Sequence, residues 1–398
     1  MFRNAKPTMA RIGIFHPQLH GWMAGDRYLR TLIHSLARKC ESAAVELYVL
    51  CEHNGTACQI QTHSAKVVQV GVPEHNLRES RFRRLLSFPR KSQLIRAARE
   101  HGISVLLPFS SMPFRLSHVK TIGWIPDFQH LRRPEFFSER ERQGRDHMFR
   151  LVAERCNLVI VSSQNALEDF VELFPGYARK ARLLPFPSIF AFEHPTGDVL
   201  ATLRKFNLPR KFLLIANQFW RHKNHEVVIE AVRQLNRKGT QIPAVITGLP
   251  LDYRDANNET TSRILQAIAS AGLNQQITVL GMLDESDFCN LMRAAAVVVQ
   301  PSLFEGWSTV IQDAKALGRP LVCSDIPVHR EQAPEALGFF PCNRPDHLAE
   351  LLNETWPILE PGPDFEKEKE ALARELELAG IHGQTLLGIC KEAYSGAA

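Results

Sequence analysis

The sequence lacks the features that mark several large protein classes. No run of eighteen apolar residues occurs in its 398 residues, so nothing in it reads as a bilayer-spanning helix. The eight cysteines, at 40, 51, 58, 156, 289, 323, 342 and 390, include no Cys-x-x-Cys pair. That pattern argues against a disulfide framework or a zinc site and for a reducing cytosol. No internal repeat of fixed period and no low-complexity tract is present. Charge of one sign is scarce as well: the formal net charge of +6 favours anionic ligands or surfaces but is too small to argue for nucleic acid. Residues 1–8 are polar and lack the apolar stretch of a signal peptide, and read as a disordered tail.

What is present is ordinary globular composition, 44% hydrophobic and 23% charged. A chain of 398 residues exceeds the size at which one core keeps growing, so two domains are expected. Short β-branched runs alternate with longer helical patterns, the mark of an α/β protein with parallel sheets. Strands are expected at 11–15, 45–50, 66–70, 105–108, 121–124, 158–162 and 181–185. In the second half they are expected at 212–216, 244–247, 277–280, 297–300, 320–323 and 338–340. Helices are expected at 28–37, 225–236, 261–271, 285–295 and 310–317. Pro185, Pro187 and Pro195 rule out regular helix or central strand over 184–195, which reads as the linker between domains 9–190 and 191–375. A charged helix over 365–379, with Asp364 as its cap, is followed by a last helix over 382–394.

Two strand ends carry the chemistry. After the strand at 297–300 comes Pro301-Ser-Leu-Phe-Glu-Gly-Trp-Ser-Thr309, then a helix stopped by Gly318. In open parallel sheets ligands collect at such carboxyl ends. Amides at the helix start, near Ser308 and Thr309, suit phosphate oxygens. Helical side chains lean toward the N-terminus, which aims Asp313 back at the loop that holds Glu305. One strand-to-helix crossing earlier, Asn217-Gln-Phe-Trp-Arg-His-Lys-Asn-His225 brings Arg221 and Lys223 to the corresponding place. Charge-assisted bonds to phosphate are about twice as strong as neutral ones. A solvated basic turn, with His222 and His225 at helix ends, is the alternative reading of that loop.

These segments resemble the family-4 glycosyltransferases (glycosyl transferases group 1). Glu305 and Asp313 stand where that family has two acids separated by seven residues, the second usually Glu. Lys223 stands at the lysine of a Lys-Asn-His segment that holds the diphosphate, and Asn217 where the family commonly has arginine. Ala24-Gly25, after Gly21 in the first loop, resembles a pair of glycines there. Gly123-Trp-Ile-Pro-Asp127 resembles a His-Asp segment, with Pro126 in place of the histidine and His130 three residues beyond Asp127. The resemblance extends to Asp325-Ile-Pro-Val-His-Arg-Glu-Gln332.

The resemblance implies an α/β fold of GT-B type: two Rossmann-like parallel-sheet domains facing a cleft, with residues 376–398 crossing back to the first. It implies Glu305, Asp127 and Lys223 as catalytic residues. It implies Asn217, Arg221, Lys223, Gly306, Trp307, Ser308, Thr309, Asp313 and Gly25 on the donor, and Gly21, Asp127 and His130 on the acceptor side. The implied reaction is a retaining, metal-independent transfer of a sugar from a nucleotide-diphosphate donor to a saccharide or lipid-linked acceptor, as in cell-surface polysaccharide assembly. No cofactor enters, and no Asp-x-Asp motif is present to hold a divalent ion. A GT-B epimerase or phosphorylase, or a catalytically weakened binding or scaffold protein, stays open as the alternative.

The stretch 78–99 interleaves Arg78, Arg81, Arg83, Arg84, Arg90, Arg96 and Arg99 with apolar residues. Two readings stay open: a peripheral contact with anionic lipid at the inner membrane face of the cytoplasm, or a solvated helix face with salt bridges.

Overall fold

Runs of four or five apolar residues, too short for helices and buried on both faces, become the central strands of parallel sheets. The computed structural model describes residues 11–17, 22–51, 65–69, 87–109, 118–193, 197–252, 254–255 and 257–396. They form two compact units: one from residues up to Phe128, Arg140–Ile189 and Glu377 onward, the other from Gln129–Glu139 and Phe190–Leu376. The short segment Gln129–Glu139 therefore belongs with the second unit, although its neighbours in sequence belong to the first.

The sheet of the first unit contains β1 (Arg11–His16), β2 (Glu46–Cys51), β3 (Ala65–Gln69), β4 (Val105–Phe109), β5 (Lys120–Trp124), β6 (Leu158–Val161) and β7 (Ala181–Leu183). All are parallel, in the order β3-β2-β1-β4-β5-β6-β7. The sheet of the second unit contains β8 (Leu213–Ala216), β9 (Ala244–Thr247), β10 (Ile277–Gly281), β11 (Val297–Gln300), β12 (Leu321–Ser324) and β13 (Gly338–Phe340). It too is parallel, in the order β10-β9-β8-β11-β12-β13. In each sheet the winding reverses once, between β1 and β4 and between β8 and β11. Such a reversal opens a crevice at the carboxyl ends of the two strands, because their following loops run to opposite faces. Every expected strand is present, with ends shifted by one or two residues.

The helices depart further from expectation. The first begins at Met23, not near 28, and runs to Ser42. Helix Glu139–Arg155 has no counterpart in the sequence reading, because only Phe149, Val152 and Ala153 of its seventeen residues are buried and no apolar stripe results. The two expected C-terminal helices are one, Phe365–Ser395. From Glu377 on its residues belong to the first unit. There a Cβ on Gly383 would lie 2.2 Å from Ser35 O, so only glycine permits the approach to helix Met23–Ser42. His382 Nδ1 and Ser35 Oγ meet at 2.8 Å in the same contact. Arg182 pairs with Glu392 through two hydrogen bonds, of which Nε to Oε2 spans 2.8 Å.

Of the arginine-rich stretch 78–99, residues 78–86 lie outside the described residues. Helix Ser87–Glu100 turns Leu94 and Ala98 into the core and leaves Arg96 exposed against Glu100 at 2.6 Å. Its described part thus offers charge to its surroundings and keeps its apolar side for the fold. No helix of the described residues is long and apolar enough to cross a membrane.

Candidate functional site

The reversal between β8 and β11 gathers the charged residues of the second unit. β8 ends at Ala216, and the chain passes through Asn217 and a short 3-10 turn, Arg221–Lys223, into helix His225–Arg237. Asn224 makes the sharp entry with φ of +54°, a left-handed conformation that asparagine tolerates better than most residues. Its side-chain amide donates to Pro301 O at 3.1 Å and to Cys342 O at 2.9 Å. The Leu303 amide donates to His222 O at 2.8 Å. One side chain and one backbone bond thus tie together the loops that follow β8, β11 and β13.

Within this frame Lys223 Nζ lies 2.6 Å from Glu305 Oε1, and the two side chains are only 14% and 9% exposed. Gln300, the last residue of β11 and fully buried, reaches the same oxygen: its Nε2 lies 2.9 Å from Glu305 Oε1. That nitrogen also faces Ser302 Oγ at 3.2 Å and Ser308 Oγ at 3.0 Å. Its oxygen accepts from Asn217 Nδ2 at 2.8 Å.

Ser308 caps helix Thr309–Ala316, its hydroxyl accepting from the Ile311 amide. The Ser308 amide donates to Gln332 Oε1 at 2.8 Å while Gln332 Nε2 donates to Ser308 O at 3.1 Å. Deeper in the same region, the Ser324 hydroxyl donates to Ser302 O at 2.6 Å, and His329 Nδ1 lies 3.1 Å from that hydroxyl. Burial pushes the His329 imidazole down to about 4, with Glu305 pulling it up and Lys223 pushing it further down. His329 is therefore neutral at pH 7 and senses both members of the ion pair. His225, behind Asn217, is also pushed down to about 4 by burial.

Several expectations are corrected by this geometry. The Ser308 amide is occupied by Gln332, so it is not among the free donors of the helix start. Asp313 is 1% exposed and already engaged, so it presents no open carboxylate to the loop. Asn217, the first residue after β8, is 2% exposed and bonded to Gln300, so its side chain is buried and not open in the loop. The Arg221 guanidinium lies 5.4 Å from the centre of the Phe136 ring, a cation–π distance, so its charge is turned toward segment Gln129–Glu139. Gly306, Trp307 and Thr309 are half-buried along the loop.

The remaining candidates lie elsewhere. His130 is fully buried, edge-on to Phe137 at 6.3 Å, and so is not an open acceptor-side group. Asp127 belongs to the first unit, where its Oδ1 faces Arg145 Nη1 at 3.7 Å. Gly25 sits in the first turn of helix Met23–Ser42, not in the preceding loop; Gly21 lies outside the described residues. A Cβ on Gly25 would lie 2.4 Å from Trp22 Cε3. That close approach lets Trp22 stack on Trp124 at 5.5 Å, and Trp124 in turn stacks on Tyr28 at 3.8 Å.

Four residues of the second-unit site were not singled out from sequence: Gln300, His329, Gln332 and Arg133, whose Nη2 donates to Leu303 O at 3.2 Å. Gln300 left a signal as a polar residue closing an otherwise β-branched strand, and His329 and Gln332 lie in the segment Asp325–Gln332 that shares the resemblance. Arg133 reaches the site by a long-range contact that no local pattern announces.

Residues 203–356 match the family described as glycosyl transferases group 1. A D-inositol 3-phosphate glycosyltransferase from Stackebrandtia nassauensis is 26% identical over 179 residues, which are 44% of this chain and 40% of that protein. An N-acetylgalactosamine-N,N'-diacetylbacillosaminyl-diphospho-undecaprenol 4-alpha-N-acetylgalactosaminyltransferase from Campylobacter jejuni is 25% identical over 188 residues, 47% of this chain and 46% of that protein. The chain thus spans less than half the length of these curated relatives. Among solved structures, the sucrose-phosphate synthase of Thermosynechococcus elongatus superposes with a TM-score of 0.69 at 16% identity, over 96% of this chain and 99% of that one. Anabaena Alr3699/HepE in complex with UDP-glucose superposes with a TM-score of 0.64 at 16% identity, over 97% and 99%. The fold is the GT-B type that the sequence resemblance implied.

Proposed function

We propose that this chain, whose residues 203–356 belong to the group 1 glycosyltransferases, is a glycosyltransferase with a nucleotide-diphosphate sugar as donor. The acceptor is a saccharide or a lipid-linked saccharide, and the transfer retains configuration without a metal or cofactor. The observation that carries this reading is the Lys223–Glu305 pair at the β8/β11 reversal. A cation and an acid held at the place where open parallel sheets bind ligands suit a phosphorylated sugar with free hydroxyls. The names of the relatives, sugar transferases to a phosphorylated inositol and to a diphospho-undecaprenol saccharide, support it. So does a structural neighbour bound to UDP-glucose.

In this scheme Lys223 turns from Glu305 to the donor diphosphate and stabilises it as it leaves the anomeric carbon. Fixed positive charge aimed at a departing diphosphate lowers the barrier because it needs no reorganisation during the reaction. Glu305 then faces the donor sugar, whose hydroxyls donate to its carboxylate. The acceptor hydroxyl attacks from the face the diphosphate leaves, and a phosphate oxygen takes its proton.

Thermal unfolding with a panel of sugar nucleotides tests the proposal. UDP or GDP is expected to raise the melting temperature by a few degrees, matching about 1–3 kcal/mol of linkage. Slow hydrolysis of the cognate donor without acceptor is expected to accompany it. A panel of UDP-, GDP-, ADP- and TDP-sugars that leaves the melting temperature unmoved overturns the reading.

A further inference from the structure

We propose that Gln300 is a positioning residue that holds Glu305 in place when Lys223 leaves it for an anionic ligand. The liganded half of this inference rests on the donor reading above; the unliganded half rests on geometry alone.

The orientation of the amides follows from charge. A carboxylate only accepts hydrogen bonds, so the group of Gln300 that lies 2.9 Å from Glu305 Oε1 is its nitrogen. The Gln300 oxygen therefore faces Asn217, and Asn217 presents its own nitrogen at 2.8 Å. Two neutral side chains, one just past β8 and one closing the adjacent β11, thus form a relay that ends on the acid. Lys223 bonds the same Oε1 at 2.6 Å, so that oxygen has two donors while Oε2 has no hydrogen bond among the described residues.

Partner exchange is where Gln300 acts. Once Lys223 turns to a phosphate, a carboxylate only 9% exposed loses its counter-charge. An unpaired buried charge is strongly unfavourable, so the carboxylate would swing out toward water. The Gln300 N–H remains on Oε1 and keeps Oε2 facing the ligand. A neutral amide does this without competing with Lys223 for the incoming anion, which a second cation would do. The fully buried side chain of Gln300 is also locked on its far end by Asn217, so it does not move with the lysine.

A double-mutant cycle tests this, with Gln300→Met, which keeps the length and removes the donor, and Glu305→Gln, which removes the charge to be held. UDP, GDP and inorganic pyrophosphate serve as probes. Gln300→Met is expected to weaken binding of the responsive probe by about tenfold beside Glu305 and by no more than about twofold beside Gln at that position. In the absence of probe, the urea midpoint should show coupling of the same sign. Equal losses in both backgrounds, in binding and in urea midpoint, overturn the role of Gln300. If no probe binds the wild-type protein while the urea midpoints still couple, the donor reading falls and the positioning of Glu305 by Gln300 stands.

Discussion

The two sheets reverse their winding in the same way, yet the residues at the two reversals differ in kind. At the second, between β8 and β11, Lys223, Glu305, Gln300, Asn217 and Ser308 are bonded to one another through charge and amide groups. Near the first, Trp22, Trp124, Tyr28 and Phe186 form an aromatic stack. There, among the described residues, the Tyr28 hydroxyl and the Trp124 indole N–H are buried without a hydrogen-bond partner. The same topology therefore carries a preorganised electrostatic edge in one unit and an apolar one with unspent polar groups in the other. Fixed charge suits a constant anionic ligand, whereas stacked rings suit contact by shape and area.

The contrast can be broken most strongly at Lys223. Lys223→Ala leaves the Glu305 carboxylate mostly buried and without its counter-charge, and is expected to cost about 3–5 kcal/mol in urea unfolding. Lys223→Met combined with Glu305→Met should recover most of that loss. The single variant should also lose any UDP- or GDP-induced thermal shift; a retained shift would remove Lys223 from the phosphate role.

Acid should expose a second difference. His225 and His329 are held down to about 4 and His382 to about 3, all by burial, against an ordinary value of 6.5. The unfolded chain takes up these protons first, so their stability contribution is complete above pH 6.5 and is lost as pH falls toward about 4 and 3. Each unit of depression corresponds to about 1.4 kcal/mol. Urea midpoints measured from pH 7 to 4 should fall, and His382→Gln should flatten the slope.

At the aromatic edge smaller effects are expected. Gly25→Ala places a methyl against the Trp22 ring and should cost about 1–3 kcal/mol, read as a lower melting temperature and altered tryptophan emission. Tyr28→Phe removes a buried hydroxyl that has no partner among the described residues, and should change stability by less than about 1 kcal/mol, in either direction. A large loss in Tyr28→Phe would show that the hydroxyl is used after all.

The strands were legible because period and composition act locally: β8 is an unbroken apolar run and β11 is apolar up to its closing Gln300, and a parallel sheet needs nothing else to announce itself. Lys223 and Glu305 were legible as residues at two strand ends, and the structure joins them at 2.6 Å because β8 and β11 are neighbours in the sheet. What sequence could not give is who partners whom. Asn217 stands 83 positions from Gln300, and Ser308 stands 24 from Gln332. Those bonds are fixed by sheet order, which local pattern does not encode. The single helix Phe365–Ser395 reads in the sequence as two, 365–379 and 382–394, with Gly380 between them and Gly383 in the second, and glycine ordinarily weakens a helix interior. At Gly383 the gain from backbone approach to Ser35 outweighs that penalty.

Asn224 gives its two amide hydrogens to carbonyls on two other loops, and this has a mechanical consequence. Three strand ends share one fastener, so a tug on any of them reaches the rest. Swapping that asparagine for glycine would keep the bend and cut both stitches, leaving the Leu303–His222 backbone bond and the Lys223–Glu305 pair to join the lysine turn to the acid-bearing loop.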